Sequence, residues 1–301
     1  MLKHFWSFLQ LTRPVFLLGG ALLYALGAAI AHTAGVSIDW GRYALGQVIV
    51  TSVQVMTHYA NEYFDAEADR VIGANRTWFS GGSGVLADGR LSPHIALRAA
   101  RISAGVAIAA IGIALPIAPA VSLVGGLALL GGWFYSAPPV RLVASGFGEL
   151  ATALMVSLLV PLTAVLMQRS PIGAPLLAVA LPLALINLAM QLAFEFPDFD
   201  ADREMGKRTL TVRLGRDRAV HLHNALLASA FAAAWIASAS GWIDPRVAAW
   251  MLLTAPLAAW QVAGVLWRAR RGWRGYGLMT AGGVGLFALA AATFLAGFVS
   301  Q

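Results

Sequence analysis

One acidic sequence occurs twice in this chain with matching spacing. The first copy ends at Arg70 and the second at Arg203, and both read Glu, aromatic, any residue, Asp, any residue, acid, Ala, Asp, Arg. Of the fourteen acidic residues, nine lie in these copies or directly beside them. Each copy ends a long apolar run, where a carboxylate is costly unless it faces a polar cavity or a partner. The two copies therefore predict a shared site for a cationic partner.

The spacing within each copy places carboxylates on one face of a helix. At about 100° per residue, Asp65 and Asp69 lie one turn apart, and Asn61 precedes them by another turn. Asp198 and Asp202 repeat this spacing. Such rows of oxygen atoms suit Mg²⁺, which takes one or two carboxylates and completes its shell with water and substrate phosphate. We predict that these five residues bind Mg²⁺, that Asp65 and Asp198 are catalytic, and that a diphosphate group leaves.

The same helical geometry separates the other acids of the two copies. Glu62 and Glu195 fall beside the aspartates and are candidate supporting residues. Glu67 and Asp200 point away from them. We expect Glu67 and Asp200 to face solvent or the basic loops.

Composition indicates a polytopic membrane protein. Of 301 residues, 59% are hydrophobic and only 12% are charged, and apolar runs of about twenty residues have the length of membrane spans. We predict an all-α fold, a bundle of nine transmembrane helices around a central cavity, in a single domain over residues 1–301. The candidate spans lie near 14–34, 42–64, 97–117, 119–137, 146–168, 172–194, 221–240, 247–267 and 277–299.

The basic residues are divided unequally between the two sides of the predicted membrane. If the N-terminus lies inside, eighteen Lys and Arg residues lie inside and three lie outside. This distribution follows the positive-inside rule. It predicts a bacterial-type plasma-membrane protein with both acidic copies on the cytoplasmic side and the C-terminus outside. The net charge of +7 is therefore explained without a nucleic-acid partner, and no feature indicates an obligate protein partner.

Four bases are candidates for binding diphosphate. Lys207 and Arg208 follow the second acidic copy, and Lys and Arg neutralise phosphate oxygens as a point charge and as a fork. Arg76 lies in the long loop 70–96, whose Gly-rich segment at 81–84 is a candidate lid. Arg141 follows a double proline near the predicted membrane surface. The positive-inside bias alone would also place bases here.

Two candidate supporting residues leave alternatives open. His58 lies one turn before Asn61 and is either packed between helices or part of the same cavity. Glu149 either pairs with Arg141 or another interior base, or contributes to the site. The chain contains no cysteine, which excludes thiolate metal sites and iron–sulfur centres.

These segments resemble the UbiA superfamily of intramembrane prenyltransferases. The first copy matches its Asn-x-x-x-Asp-x-x-x-Asp motif and the second its Asp-x-x-x-Asp motif, and the likeness covers nearly the whole chain. Tyr135-Ser-Ala-Pro-Pro, Gly148-Glu149-Leu150 and the 206–215 segment are also similar to family segments, which makes Tyr135 a further supporting candidate. The 206–215 segment looks most like the MenA branch, which attaches polyprenyl chains to dihydroxynaphthoate. Phe194 stands where that branch often has Asn.

The resemblance implies Mg²⁺-assisted ionisation of an allylic polyprenyl diphosphate, followed by attack of an aromatic acceptor on the resulting cation. The expected partners are thus a polyprenyl diphosphate, an aromatic small molecule and the lipid bilayer, and the expected pathway is lipoquinone biosynthesis. Other enzymes of the same fold stay open as alternatives. Their acceptors would be 4-hydroxybenzoate, homogentisate, haem or an ether lipid, and a terpene cyclase would use no acceptor. A non-enzymatic alternative is a transporter that uses the acids as a cation site, although transporter sites lie near the bilayer midplane.

Overall fold

The computed structural model describes residues 2–301, apart from the side chains of Leu2 and Ala74. Within that range every regular element is helical, so the predicted all-α fold is confirmed. The helices are α1 Leu2–Thr12, α2 Pro14–Thr33, α3 Trp40–Phe64, α4 Ala66–Ile72, α5 Pro93–Ala114, α6 Pro119–Ser136, α7 Leu142–Ser145, α8 Gly148–Met167, α9 Ala174–Glu204, α10 Leu210–Leu214, α11 Arg216–Ala239, α12 Pro245–Arg271 and α13 Tyr276–Val299.

Eight of the helices in residues 2–301 are long and apolar enough to cross a membrane. They are α2, α5, α6, α8, α9, α11, α12 and α13. The ninth predicted span corresponds to α3, which has 25 residues but carries more polar side chains, including Gln54, His58 and Asn61. Because these side chains face the central cavity, α3 has the length of a span without its uniform hydrophobicity.

Helix boundaries follow from local sequence. Proline occupies the first turn of α2, α5, α6 and α12, where its missing N–H costs no hydrogen bond. The side chain of Asp39 accepts a hydrogen bond from Arg42 N and caps α3. Pro182 and Pro197 lie inside α9 without ending it, although proline often interrupts a helix. The second acidic copy therefore lies within one continuous helix.

The bundle closes around a cavity. Helix α3 packs against α5 and α6, α9 packs against α11 and α13, and α2 joins the two sides through α8 and α13. The largest buried cluster lies where α2, α9 and α13 meet and includes Leu23, Leu183 and Phe294. Burial of these side chains holds α9 against α2 and α13, and α2 in turn packs against α3, so the two helices that lead into the acidic copies are positioned through α2.

The first acidic copy spans a break in the helix. Helix α3 ends at Phe64 and α4 begins at Ala66, with Asp65 between them at φ −98° and ψ 3°. The hydrogen bonds from Asp65 N to Asn61 O and from Asp69 N to Asp65 O, each 2.9 Å, nevertheless continue the helical pattern. The predicted continuous helix is thus interrupted at one residue, but its faces are kept. Glu67 and Asp200 are exposed, as the helical geometry predicts.

Candidate active site

A cavity of about 550 Å³ lies inside the bundle and joins the two acidic copies to an apolar chamber. Its polar end is formed by both copies together with Lys207. Deeper in the bundle, the wall is apolar. The apolar lining includes Ile49, Val53, Met190, Phe194 and Phe287. The cavity therefore has the shape and polarity to hold a ligand with an anionic head and a hydrocarbon tail.

Asp65 is held at the polar end by two hydrogen-bond donors. The amide of Asn61 and the hydroxyl of Ser136 both donate to Asp65 Oδ2, the latter at 2.9 Å. Asp65 is only 3% exposed, and its other oxygen, Oδ1, is buried without a hydrogen-bond partner. A buried carboxylate oxygen left in this state is costly unless a cation neutralises it.

The second copy contributes Asp198 and Asp202 from α9. The hydroxyl of Ser80 donates to Asp198 Oδ1 at 2.8 Å, so the loop between α4 and α5 contacts the second copy directly. Asp202 is 5% exposed. Both aspartates line the same cavity as Asp65 and Asp69, and the structure thus brings the two acidic copies together.

Lys207 lies between the two copies. Its Nζ is 3.5 Å from Asp65 Oδ1 and 3.4 Å from Asp202 Oδ1. Burial alone would lower the pKa of Lys207, but Asp65 and Asp202 raise it above its ordinary value, so the side chain stays charged at physiological pH. A single buried ammonium therefore pairs with one aspartate of each copy.

Asp69 lies under the loop that carries the Gly-rich segment. Burial raises the pKa of Asp69 to about 7; Arg13 opposes this shift, and Glu62 and Asp65 add to it. Gly82 has φ +72°, and a Cβ there would collide with the carboxylate of Asp69. Only glycine both adopts that backbone conformation readily and leaves room for the acid.

Glu62 anchors the same loop rather than lining the cavity. It accepts hydrogen bonds from Arg13 Nε at 2.9 Å, from Ser83 N at 2.6 Å and from Ser83 Oγ at 2.7 Å. Through these bonds Glu62 connects the start of α2, the end of α3 and the Gly-rich segment. Its burial on the aspartate side agrees with the helical geometry.

The four candidate bases occupy different positions. Lys207 lines the cavity, whereas Arg76, Arg141 and Arg208 do not. Arg141 stands at the rim, with Nη2 4.0 Å from Asp65 Oδ1. Arg76 donates to the backbone oxygens of Asp69 and Gly81, each at 3.0 Å, and pairs with Asp88, so its guanidinium holds the loop together. Arg208 is exposed.

The remaining supporting candidates, His58, Tyr135, Glu149 and Glu195, all line the cavity. His58 Nδ1 lies 3.0 Å from Thr12 O, so this histidine is both packed and adjacent to the cavity. Glu149 does not pair with Arg141; its Oε1 accepts a hydrogen bond from Leu210 N at 2.7 Å. Glu195 Oε2 accepts one from Thr211 N at 2.8 Å.

Three residues at the site escaped the sequence analysis. Ser80 and Ser136 each donate to a motif aspartate, and Arg13 holds Glu62. Serine and arginine are common, and nothing in their spacing indicates long-range contacts. The only signals were the positions of Ser136 in the Tyr-Ser-Ala-Pro-Pro segment and of Ser80 directly before the Gly-rich segment.

The donor set fits a magnesium ion that arrives with a phosphate ligand. All candidate ligands offer oxygen, and Asp65 Oδ1 is buried and accepts no hydrogen bond, with Lys207 Nζ 3.5 Å from it. In residues 2–301 no three acids or histidines converge closely enough to hold a metal alone. Mg²⁺ commonly takes one or two carboxylates and relies on substrate phosphate for the rest, so this arrangement fits the ion together with a diphosphate.

Comparison with known families identifies the fold. The model of the UbiA prenyltransferase family matches residues 21–279. This chain belongs to the UbiA prenyltransferase family. It is thus an integral membrane enzyme that transfers prenyl groups, and the transporter alternative is rejected.

Individual relatives agree with the family assignment. The chain is 26% identical over 229 residues to a 1,4-dihydroxy-2-naphthoate octaprenyltransferase of Bacillus subtilis (strain 168), covering 75% of this chain and 70% of that protein. It is 29% identical over 197 residues to the protein of that name from Mycobacterium tuberculosis (strain ATCC 25618 / H37Rv), covering 64% of each. A UbiA homologue from Archaeoglobus fulgidus, solved with DMAPP and Mg²⁺, shares the fold at a TM-score of 0.66 and 20% identity, over 98% of this chain and 100% of that one.

Proposed function

We propose that this enzyme transfers a polyprenyl group from an allylic prenyl diphosphate to a dihydroxynaphthoate ring, with Mg²⁺ as cofactor, in lipoquinone biosynthesis of the menaquinone type. The observation that carries the proposal is the meeting of both acidic copies at one end of a cavity whose depth is apolar. The names of the relatives from B. subtilis and M. tuberculosis support the acceptor.

Different residues of the site would bind the metal and the diphosphate. Asp65 and Asp69 on one side, and Asp198 and Asp202 on the other, would hold the metal, with Asn61 orienting Asp65. Bound Mg²⁺ supplies electrostatic stabilisation of the diphosphate as it leaves. Lys207 lies between the copies and would contact the same anion, and Arg141 stands at the rim.

The rest of the cavity protects the reactive group. Once the allylic carbon–oxygen bond breaks, water would capture the cation. Apolar side chains such as Val53, Met190 and Phe287 line the chamber and exclude water from it. The loop that carries Phe79 and Ser80 covers the polar end. Ser80 of this loop donates a hydrogen bond to Asp198, so binding of the diphosphate beside Asp198 would change the position of the loop.

The membrane orientation belongs to the same proposal. The distribution of bases supports a cytoplasmic position for the acidic copies, where the diphosphate head group and the naphthoate substrate would be accessible. The prenyl tail would then remain within the bilayer depth while its head reaches the aspartates.

An acceptor screen tests the proposal. Purified protein in nanodiscs is incubated with geranyl diphosphate and Mg²⁺, together with dihydroxynaphthoate, 4-hydroxybenzoate or homogentisate, and the products are analysed by mass spectrometry. We expect a prenylated product from dihydroxynaphthoate at a rate at least about tenfold above the others, and none when EDTA replaces Mg²⁺. A product only from another acceptor would refute the naphthoate assignment, and product formation in EDTA would refute the metal assignment.

A further inference from the structure

Aromatic side chains from four separate elements converge on one wall of the cavity. Phe16 of α2 stands at the centre of this wall. Its ring makes edge-to-face contacts with three others, those of His58 on α3, Phe79 in the loop between α4 and α5, and Phe194 on α9, at centroid distances of 5.9, 5.9 and 6.4 Å. All four side chains line the cavity, and none belongs to the proposed contacts with the metal or the diphosphate. We call these four residues the aromatic wall.

The aromatic wall lies at the level where an acceptor must meet the prenyl group. Phe194 precedes Asp198 by four residues and His58 precedes Asp65 by seven, so they lie about 6 and 10 Å deeper than the aspartates along their helices. The first carbon of an allylic diphosphate is bonded to a diphosphate oxygen and therefore lies just below the aspartates. A ring that attacks this carbon occupies the level of Phe194 and His58, while the prenyl tail continues deeper.

A short turn holds Phe79 in this wall. Thr77 Oγ1 accepts hydrogen bonds from the N–H groups of Phe79 and Ser80 at 3.2 and 3.0 Å, and Thr77 N donates to Ser80 O at 3.1 Å. Thr280 of α13 is fully buried, and its Oγ1 lies 3.1 Å from Thr77 Oγ1. The turn that brings Ser80 to the second acidic copy therefore also fixes the position of Phe79.

His58 gives the aromatic wall a polar atom whose character the structure defines. Its Nδ1 lies 3.0 Å from the backbone oxygen of Thr12. Because a carbonyl oxygen only accepts hydrogen bonds, Nδ1 carries the proton, and in the neutral imidazole the lone pair lies on Nε2. Thr12 lies outside the cavity lining, so the ring turns Nδ1 toward the protein and Nε2 toward the cavity.

The lone pair on Nε2 distinguishes the acceptor from the prenyl diphosphate. Within residues 2–301 the hydrogen bond of the His58 ring is the one at Nδ1, so Nε2 is left for a ligand that carries a donor. A hydrocarbon tail carries no donor, and an ionised diphosphate carries only acceptor oxygens. The hydroxyl group of an aromatic acceptor is a donor, and the flat ring beside it can pack against phenylalanine rings.

We propose that the aromatic wall binds the ring of the acceptor. His58 Nε2 accepts a hydrogen bond from an acceptor hydroxyl, and the three phenylalanines pack against the ring. This inference rests on the proposed function and assigns to named side chains the orientation of the ring toward the first prenyl carbon. Because Phe79 belongs to the loop, the acceptor site is complete only when the turn at 77–80 lies against α13.

A comparison of substrates and variants tests the hydrogen bond to His58. Prenyl transfer from geranyl diphosphate with Mg²⁺ is measured in nanodiscs, with dihydroxynaphthoate and with the two analogues that each lack one hydroxyl group. In wild type, loss of the hydroxyl that meets His58 should lower kcat/KM. In His58→Phe the same loss should be at least about tenfold smaller, because no lone pair remains to be satisfied. His58→Gln, whose amide oxygen still accepts a hydrogen bond, should keep most of the wild-type discrimination.

Phe79→Leu and Phe194→Leu test the contacts with the ring. We expect the KM for dihydroxynaphthoate to rise about fivefold in each variant, because an aromatic contact is lost. The KM for geranyl diphosphate should stay within about twofold of wild type, and so should the Mg²⁺-dependent release of diphosphate without an acceptor, since the aromatic wall does not bind the diphosphate. Phe5→Leu, at an exposed ring of α1, is the control and should match wild type.

Three outcomes would overturn the inference. One is equal discrimination between the hydroxyl analogues in wild type and His58→Phe. Another is an equal rise of both KM values in the Leu variants, which would indicate that the wall holds the prenyl tail. The third is a matching fall in diphosphate release without an acceptor, which would indicate a role in ionisation. If one variant fails to fold, the others decide, because each changes a different side chain of the wall.

Failure of the proposed function would look different from failure of this inference. Wild type itself would then not prenylate dihydroxynaphthoate. The same comparison would in that case be made with the acceptor that is prenylated, such as 4-hydroxybenzoate, and with its analogue that lacks the hydroxyl group.

Discussion

Removing the ammonium between the acidic copies should separate its electrostatic role from its role in binding substrate. In Lys207→Met the side chain keeps its apolar stem and loses its charge, which leaves Asp65 and Asp202 buried and facing each other. At distances near 3.5 Å and an effective dielectric constant of about 20, each contact amounts to about 5 kcal/mol before desolvation is subtracted. Removal of one partner from a buried ion pair costs about 3–5 kcal/mol.

The stability of this variant can be measured by thermal unfolding in detergent. We expect the melting temperature of Lys207→Met without ligand to fall by on the order of 10 °C. Mg²⁺ alone should restore part of this loss, because a cation again neutralises the carboxylates, whereas wild type should respond little to Mg²⁺ without diphosphate. The double variant Lys207→Met, Asp202→Asn should be more stable than Lys207→Met. Arg203→Met, at an exposed neighbouring position, is the control.

The reasoning would be wrong if Lys207→Met had the melting temperature of wild type and if adding Asp202→Asn did not raise the melting temperature of Lys207→Met. That result would mean that Lys207 does not hold the two copies together and that its contacts contribute nothing to the fold.

Three further predictions concern the loop, the hydroxyl donors and the topology. Gly82→Ala should lower prenyl transfer at least about tenfold, because its methyl group meets the carboxylate of Asp69. Gly89→Ala is the control: its φ is also positive but the space around it is open, so it should cost only backbone strain of about 1 kcal/mol. Equal activities of the two variants would refute the steric argument. Ser136→Ala removes a donor to Asp65 and should lower the free energy of unfolding by about 1–2 kcal/mol and also lower prenyl transfer. Ser122→Ala loses only a bond to Ile111 O and should lower prenyl transfer less, which thermal unfolding and activity assays of both variants in parallel would check. A C-terminal alkaline phosphatase fusion should be active and a fluorescent-protein fusion dark, and the reverse pattern would contradict the predicted outside C-terminus.

Much of the fold could be predicted from the sequence because the membrane restricts the secondary structure that a spanning segment can adopt. Runs of about twenty apolar residues have one stable solution in lipid, a helix with its backbone bonds satisfied internally. The nine predicted spans match the eight apolar helices and α3, and the central cavity is present. The interruption at Asp65 could not be predicted, since no proline or glycine marks it and the hydrogen bonds of the helix continue through it.

At the candidate site, the helical spacing predicted which acids face inward. Glu62, Asp65 and Asp69 are buried while Glu67 and Asp200 are exposed. The spacing could not show which base meets the acids, because all four candidates lie near predicted membrane ends. Selection of Lys207 depends on the turn after α9, which brings Lys207 N to Asp202 O at 2.8 Å and aims the side chain back at the aspartates. The contacts of Ser80 and Glu62 depend on a loop whose course no periodic pattern encodes.

The central claim is that the two acidic copies act as one site for ionising a prenyl diphosphate. The most direct test is Mg²⁺-dependent release of diphosphate from geranyl diphosphate in the presence of dihydroxynaphthoate, measured for two double variants that remove the same number of charges. Asp65→Asn with Asp198→Asn should lower the rate by at least about 1,000-fold while the protein still folds and inserts. Glu67→Gln with Asp200→Asn should retain most of the activity, because these exposed charges are worth under about 1 kcal/mol each. Wild-type rates in the first double variant, or equal losses in both, would contradict the account.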